Sequence, residues 1–174
     1  IAAAGRRYSL QIFATDIDDA ALEIGRAGVY SESIQADVSQ KRLKRFFIRE
    51  DGRFRVTKEL REVVIFSRHD ALQDPPFSRM DLVSCRNLLI YLQPEAQRHV
   101  LGMLHFALVD SGLLVLGAAE SVNSGPSLFE PVDEKLHIYR RREHDQSVRV
   151  RFSMLSRGSV DKLPYAPRQT SQRS

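Results

Sequence analysis

Two apolar runs in this chain, Tyr8 to Ala14 and Met80 to Cys85, stop abruptly at polar residues, and each is followed by a stretch patterned as a helix. A strand that feeds a helix returning to a neighbouring strand is the unit of a parallel sheet, so this order restricts the chain to α/β architectures. The first run ends in the acidic turn Thr15-Asp16-Ile17-Asp18-Asp19. Asp18 or Asp19 can N-cap the next helix, whose apolar positions Ala21, Leu22, Ile24 and Ala27 recur at helical spacing until Gly28 stops it. The second run leads into Arg86-Asn87. Pro94 then opens a helix whose stripe of Val100, Leu101, Leu104 and Leu108 ends near Asp110-Ser111-Gly112, and Leu113 to Gly117 forms the next strand.

Between these units the pattern changes. Val38 to Phe47 is helix-like and carries the basic face Lys41, Arg42, Lys44 and Arg45, for which a solvated surface is the default. Asp51-Gly52 is the clearest hairpin turn in the chain. Val63-Val64-Ile65-Phe66 is a continuous apolar run and predicts a strand covered on both faces. Phe129 to Val132 and Leu136 to Tyr139 make a closing pair around Asp133-Glu134-Lys135. Beyond Arg142 periodicity fades, and residues 156–174, rich in Ser, Gln, Pro and Arg, read as a linker or tail.

Composition narrows the function classes. At 174 residues and 43% hydrophobic content the chain suits one globular domain, and its apolar stretches fall short of the roughly 18 to 20 residues of a membrane span. The net charge of +4 is misleading about nucleic acid, because residues 140–174 hold nine Lys/Arg against three Asp/Glu and the rest of the chain nets −2. No nucleic-acid partner and no direct membrane insertion are expected. The single Cys85 excludes an intrachain disulfide, and five scattered histidines supply no metal-ligand spacing, so no metal is proposed and a reducing, cytoplasmic setting fits. Ile1 opens the chain without the ordered regions of a secretory signal, which suggests a processed start or an internal piece.

Few residues carry chemistry. Asp16 lies at the carboxyl end of a strand, where open α/β sheets bind ligands, and a carboxylate there can accept both hydroxyls of a ribose. It can equally be part of the helix cap. Arg86 and Asn87 occupy the same kind of edge, for ligand contact or for an ion pair and turn hydrogen bonds. Cys85 has no base arranged with it and reads as core. His105, on a mostly apolar helix, reads as a satisfied interior or boundary side chain.

Taken together, Phe13-Ala14-Thr15-Asp16-Ile17-Asp18, Cys85-Arg86-Asn87-Leu88-Leu89-Ile90-Tyr91 and Leu116-Gly117-Ala118-Ala119-Glu120-Ser121 closely resemble, in order and spacing, the CheR family of chemotaxis-receptor methyltransferases. The resemblance runs from about Tyr8 to Arg141. Asp74-Pro75-Pro76-Phe77-Ser78 and the Arg-rich exit at Arg140 look most like CheR portions of hybrid proteins that also carry CheB methylesterase and sensor domains. The resemblance implies an α/β, Rossmann-like fold dependent on S-adenosylmethionine (SAM), with an inserted small antiparallel β-subdomain and a truncated N-terminus. Its expected divisions are 1–29 and 65–142 for the methyltransferase domain, 30–64 for the insertion, and 143–174 for a basic linker or tail.

The same resemblance implies transfer of the SAM methyl to glutamate side chains on the cytoplasmic helices of chemotaxis-type receptors, leaving S-adenosylhomocysteine. A glutamate is already ionised at neutral pH, so such a site needs alignment and desolvation more than a strong base. By analogy Asp16 holds the SAM ribose, Asp70 and Ala71 flank the adenine, Arg86 and Asn87 line the cofactor pocket, and Tyr91 orients the reaction near the transferring methyl. The family more usually shows Asn-Leu where this chain has Asp70-Ala71.

The family's glycine-containing loop and central strand are expected upstream of Ile1, in further domains of a longer chain. Their absence predicts two sheet halves, at Leu10 and at Leu82, with exposed apolar side chains. The alternative function is a non-catalytic CheR-like interaction or regulatory module of a hybrid signalling protein. A nucleotide-dependent oxidoreductase would also place an acid after a strand but leaves the Arg86 to Tyr91 segment unexplained.

Overall fold

The computed structural model describes residues 2, 3, 6, 7, 9–122 and 128–143. The tail expected from 143 onward therefore lies outside the described residues, except for Glu143. The chain divides into two compact units, residues 1–70 and 71–174, and among the described residues no sheet is shared between them.

In the first unit β1 (Ala2–Ala3) and β2 (Arg6–Arg7) form a minimal antiparallel pair. β3 (Ile12–Asp16) leads through the acidic turn into α1 (Asp19–Ala27). Asp18 is the N-cap, its Oδ1 accepting from the amides of Ala20 at 2.9 Å and Ala21 at 3.4 Å, so one orphan turn of the helix is satisfied. Gly28 ends it at φ 59°, a left-handed conformation that disfavours any residue with a Cβ, and its N–H donates to the Ile24 carbonyl at 3.1 Å.

The chain then builds a three-stranded antiparallel sheet in the order β4 (Val29–Ser31), β6 (Arg53–Val56), β5 (Phe47–Glu50), with α2 (Gln40–Phe46) leading into β5. Asp51 and Gly52 both adopt positive φ, 46° and 70°, as a two-residue hairpin turn whose twist matches its strands requires. Edge-to-face rings of Tyr30, Phe47 and Phe54 pack there, with centroids 6.1 and 6.4 Å apart. After α3 (Lys58–Glu62), β7 (Val64–Arg68) returns parallel to β3, from Ile12 opposite Val64 to Asp16 opposite Arg68.

The α/β alternation holds, but burial differs from expectation. β3 and β7 pair only with each other among the described residues. Phe13 is 40% and Ile65 45% exposed, where continuous apolar runs predict covered strands. Ile24, placed on the apolar stripe of α1, faces solvent, whereas Leu22 is buried.

The second unit holds the larger core. β8 (Met80–Cys85) and β9 (Leu108–Leu116) run parallel, joined by α4 (Pro94–Ala107), with Pro94 in the first turn where its missing N–H costs nothing. β11 (Ile138–Arg141) and β10 (Phe129–Asp133) close the sheet in the order β10-β11-β9-β8. Val100, Leu101, Leu104 and Leu108 are buried against Leu114, Leu116, Phe129 and Tyr139. Among the described residues β8 is the sheet's edge, and Leu82 is 54% exposed, the exposure expected for that sheet half.

The helix stops at Ala107 rather than near Gly112, because Leu108 already pairs with Met80 in the sheet. Asp110-Ser111-Gly112 is instead an irregularity inside β9, with Ser111 at φ 61° and the register jumping to Leu82 opposite Leu113. Arg141 clamps it, Nη1 donating to the Leu108 carbonyl at 2.7 Å and to Asp110 Oδ1 at 2.8 Å. His105 is interior and satisfied, as predicted, with Nε2 3.0 Å from the Arg142 carbonyl and its ring edge-on to Phe129.

No helix among the described residues is long and apolar enough to cross a membrane. Among those residues no group of three or more His, Cys, Asp or Glu side chains is arranged to hold a metal.

Candidate functional site

Each unit presents the carboxyl end of one parallel strand pair, the edge where open α/β sheets receive ligands. In the first unit that edge carries Asp16. Its side chain is exposed, and its Oδ1 accepts the Asp18 amide at 3.0 Å in a local turn. The side chain that caps α1 is that of Asp18, and Asp16 supports the turn just before it. The Asp16 carbonyl accepts the His69 amide at 3.0 Å, so the segment leaving β7 toward Asp70 is tied to the same strand end.

In the second unit, β8 ends at Cys85 opposite Leu116 of β9, and Arg86 and Asn87 follow with exposed side chains. Asn87 adopts φ 58°, a left-handed conformation that Asn tolerates better than most residues. A short 3₁₀ turn, Leu89–Tyr91, comes next, and Tyr91 is 65% exposed at its end. The Tyr91 amide donates to the Leu88 carbonyl at 3.2 Å and the Leu92 amide to the Leu89 carbonyl at 3.0 Å.

Glu120 organises this loop. It is 4% exposed and lies beyond β9. Oε1 accepts the amides of Leu88 and Leu89, both at 2.8 Å, while Oε2 accepts those of Asn87 at 3.1 Å and Gly117 at 2.8 Å. Gln97 completes the accounting from α4, its Nε2 donating to the carbonyls of Leu89 at 3.0 Å and Leu92 at 3.1 Å. The amides of Asn87, Leu88, Leu89, Tyr91 and Leu92 are thus all hydrogen-bonded, as amides packed over a core should be.

Cys85 stands against that core as a buried thiol. Burial first, and the nearby charge of Glu120 second, push its pKa up to about 12. A thiol held neutral at physiological pH is no nucleophile, which agrees with its reading as core.

Of the predicted site residues, Asp16 and the segment reaching Asp70 share the edge of the first unit, while Arg86, Asn87 and Tyr91 share the loop of the second. Ala71 packs on the core of the second unit. Sequence reasoning assigned no role to Glu120 or Gln97. The signal for Glu120 was a lone acid three residues after a glycine at the end of an apolar strand; Gln97 gave none.

The sequence family described as CheR methyltransferase, SAM binding domain, matches residues 2–138. An uncharacterized 104.1 kDa protein of Rhodobacter capsulatus is 45% identical over 137 residues, which cover 79% of this chain and 14% of that protein. A chemotaxis protein methyltransferase of Vibrio parahaemolyticus is 35% identical over 127 residues, 71% of this chain and 46% of its own length. Chemotaxis protein methyltransferase 1 of Pseudomonas aeruginosa is 34% identical over 129 residues, 72% and 47% respectively. The chain thus spans about half the length of these two methyltransferases and a small part of the first relative. With a match that runs through β3, β7, β8 and β9 and both strand-end loops, the chain belongs to the CheR methyltransferase family through its SAM-binding domain.

Proposed function

We propose that this chain is the SAM-binding part of a protein-glutamate O-methyltransferase that modifies chemotaxis-type receptors on their cytoplasmic helices. The observation that carries the reading is the exposed Asp16 carboxylate at the carboxyl end of a parallel strand, freed from capping by Asp18, in a chain of the CheR family. The chemistry of the donor set suits the cofactor: an exposed carboxylate for ribose hydroxyls, and an exposed Asn amide and a phenol on one short loop.

On this reading the architecture is a Rossmann-like methyltransferase domain, and the three-stranded sheet β4-β6-β5, from Val29 to Val56, forms most of the small insertion proposed for 30–64. When bound, SAM supplies a methyl group already activated by a sulfonium. Asp16 binds the ribose, Asp70 and Ala71 flank the adenine, and Arg86 and Asn87 line the pocket. Tyr91 orients the acceptor carboxylate. No residue of this loop has to remove a proton, because the acceptor is ionised at neutral pH. Alignment of the methyl with the acceptor carboxylate supplies the rate.

The test is incubation with methyl-labelled SAM and a receptor cytoplasmic fragment, followed by base treatment that releases methyl esters as methanol. Base-labile label on glutamate, lost in Tyr91→Phe or Asp16→Ala, supports the reading. Binding of the receptor fragment without any label would favour the non-catalytic module.

A further inference from the structure

We propose that Glu120 is a positioning residue: through its buried carboxylate it sets the conformation of the 86–91 loop and thereby places Asn87 and Tyr91. The significance of that placement for the cofactor rests on the function proposed above. Three consecutive amides, Asn87, Leu88 and Leu89, converge on one carboxylate from the strand-end loop after β8, and Gly117 adds a fourth from the loop after β9. Convergent amides of this kind form a concavity for an anion, and here the chain provides the anion itself.

Two further observations point to the same role. An added Cβ at Gly117 would come within 2.5 Å of Glu120 Oε2, so the backbone there makes way for the carboxylate. Asn87 holds its positive φ while its amide is directed at that same oxygen. The turn bearing Tyr91 hangs from Leu88 and Leu89, the two residues that Oε1 anchors.

Glu120→Gln is the informative variant. It keeps the shape but replaces one acceptor oxygen with an NH₂ group, which can only face two of the four amides as a second donor. In the 174-residue chain without ligand, hydrogen exchange at one oxygen's pair of amides should rise about tenfold or more, the factor corresponding to about 1.4 kcal/mol. The NMR signals of the Tyr91 ring should move as well. Glu120→Asp, which retains both oxygens, should recover part of both changes. Leu101→Ala, which lowers stability from the core and leaves both carboxylate oxygens in place, serves as the control: it should raise exchange at the four amides alike rather than at one oxygen's pair.

Unchanged exchange at these four amides, or Tyr91 ring signals identical in Glu120→Gln and the unsubstituted chain, would overturn the proposal. A parallel titration with S-adenosylhomocysteine keeps the two ideas apart. If the unsubstituted chain fails to bind, the cofactor reading falls, while the exchange and ring signals still decide the role of Glu120.

Discussion

The amide of Gly117 donates to Oε2 of Glu120 at 2.8 Å, and the space where a Gly117 side chain would stand is filled by that same oxygen. Gly117→Ala should therefore force the carboxylate off its amides. Because the atom that must give way is the end of a side chain, the cost is that of the hydrogen bonds the buried carboxylate loses, about 1 to 3 kcal/mol. Denaturant unfolding checks the cost, and a midpoint unchanged from the unsubstituted chain would contradict the clamp.

Asp16 and Asp18 stand two residues apart with different tasks, and their alanine variants should separate cleanly. Asp18→Ala removes the side-chain acceptor for the Ala20 and Ala21 amides and should cost about 1 kcal/mol of stability. Asp16→Ala should change stability less, since it removes one exposed turn hydrogen bond, but it should weaken S-adenosylhomocysteine binding. Thermal unfolding and calorimetric titration of both variants read the two effects independently.

The Cys85 thiol gives a pH-dependent prediction. Its pKa is raised in the folded chain to about 12, from an ordinary value of 9.0. The unfolded chain thus loses the thiol proton first as pH rises, so this contribution to stability is complete below about pH 9 and is lost progressively toward pH 12. Cys85→Ser or Cys85→Ala should flatten that decline. At neutral pH the native thiol should resist alkylation until the chain is unfolded, and rapid labelling of folded protein would count against the burial described.

Leu101, 1% exposed on α4, tests the core of the second unit. Leu101→Ala should cost about 2 to 5 kcal/mol, the range for a buried leucine truncated in a close-packed core. Equilibrium unfolding followed by circular dichroism measures it directly.

What was legible in the sequence was local chemistry. Asp18 and Gly28 marked the ends of α1, Asp51-Gly52 marked its hairpin, and Met80 to Cys85 read as a strand with the limits the structure gives it. Each signal depends on dihedral preference or on hydrogen bonds within a few residues. Exposure was legible in part: exposed apolar side chains were expected at the sheet halves of Leu10 and Leu82, whereas the continuous run at Ile65 reads as covered because an apolar run carries no sign of what packs on it.

The strand irregularity at Ser111 escaped for a related reason. Asp110-Ser111-Gly112 has the composition of a turn, and what holds it within β9 is distant in sequence: Arg141, 31 residues after Asp110, and the pairing of Leu108 and Leu113 with β8. Glu120 was visible as part of a motif but its task was not. Its amide partners in the loop after β8 lie 31 to 33 residues earlier, a distance across which spacing carries no information.

In the proposed function the strand-end residues of this chain bind the SAM nucleoside, and the decisive measurement is titration of S-adenosylhomocysteine into the folded 174-residue chain and into Asp16→Ala. The expected result is saturable binding by the chain and an affinity at least about tenfold weaker in the variant, equivalent to about 1.4 kcal/mol. A folded chain that shows no binding, or a variant that binds as tightly as the unsubstituted protein, would contradict it.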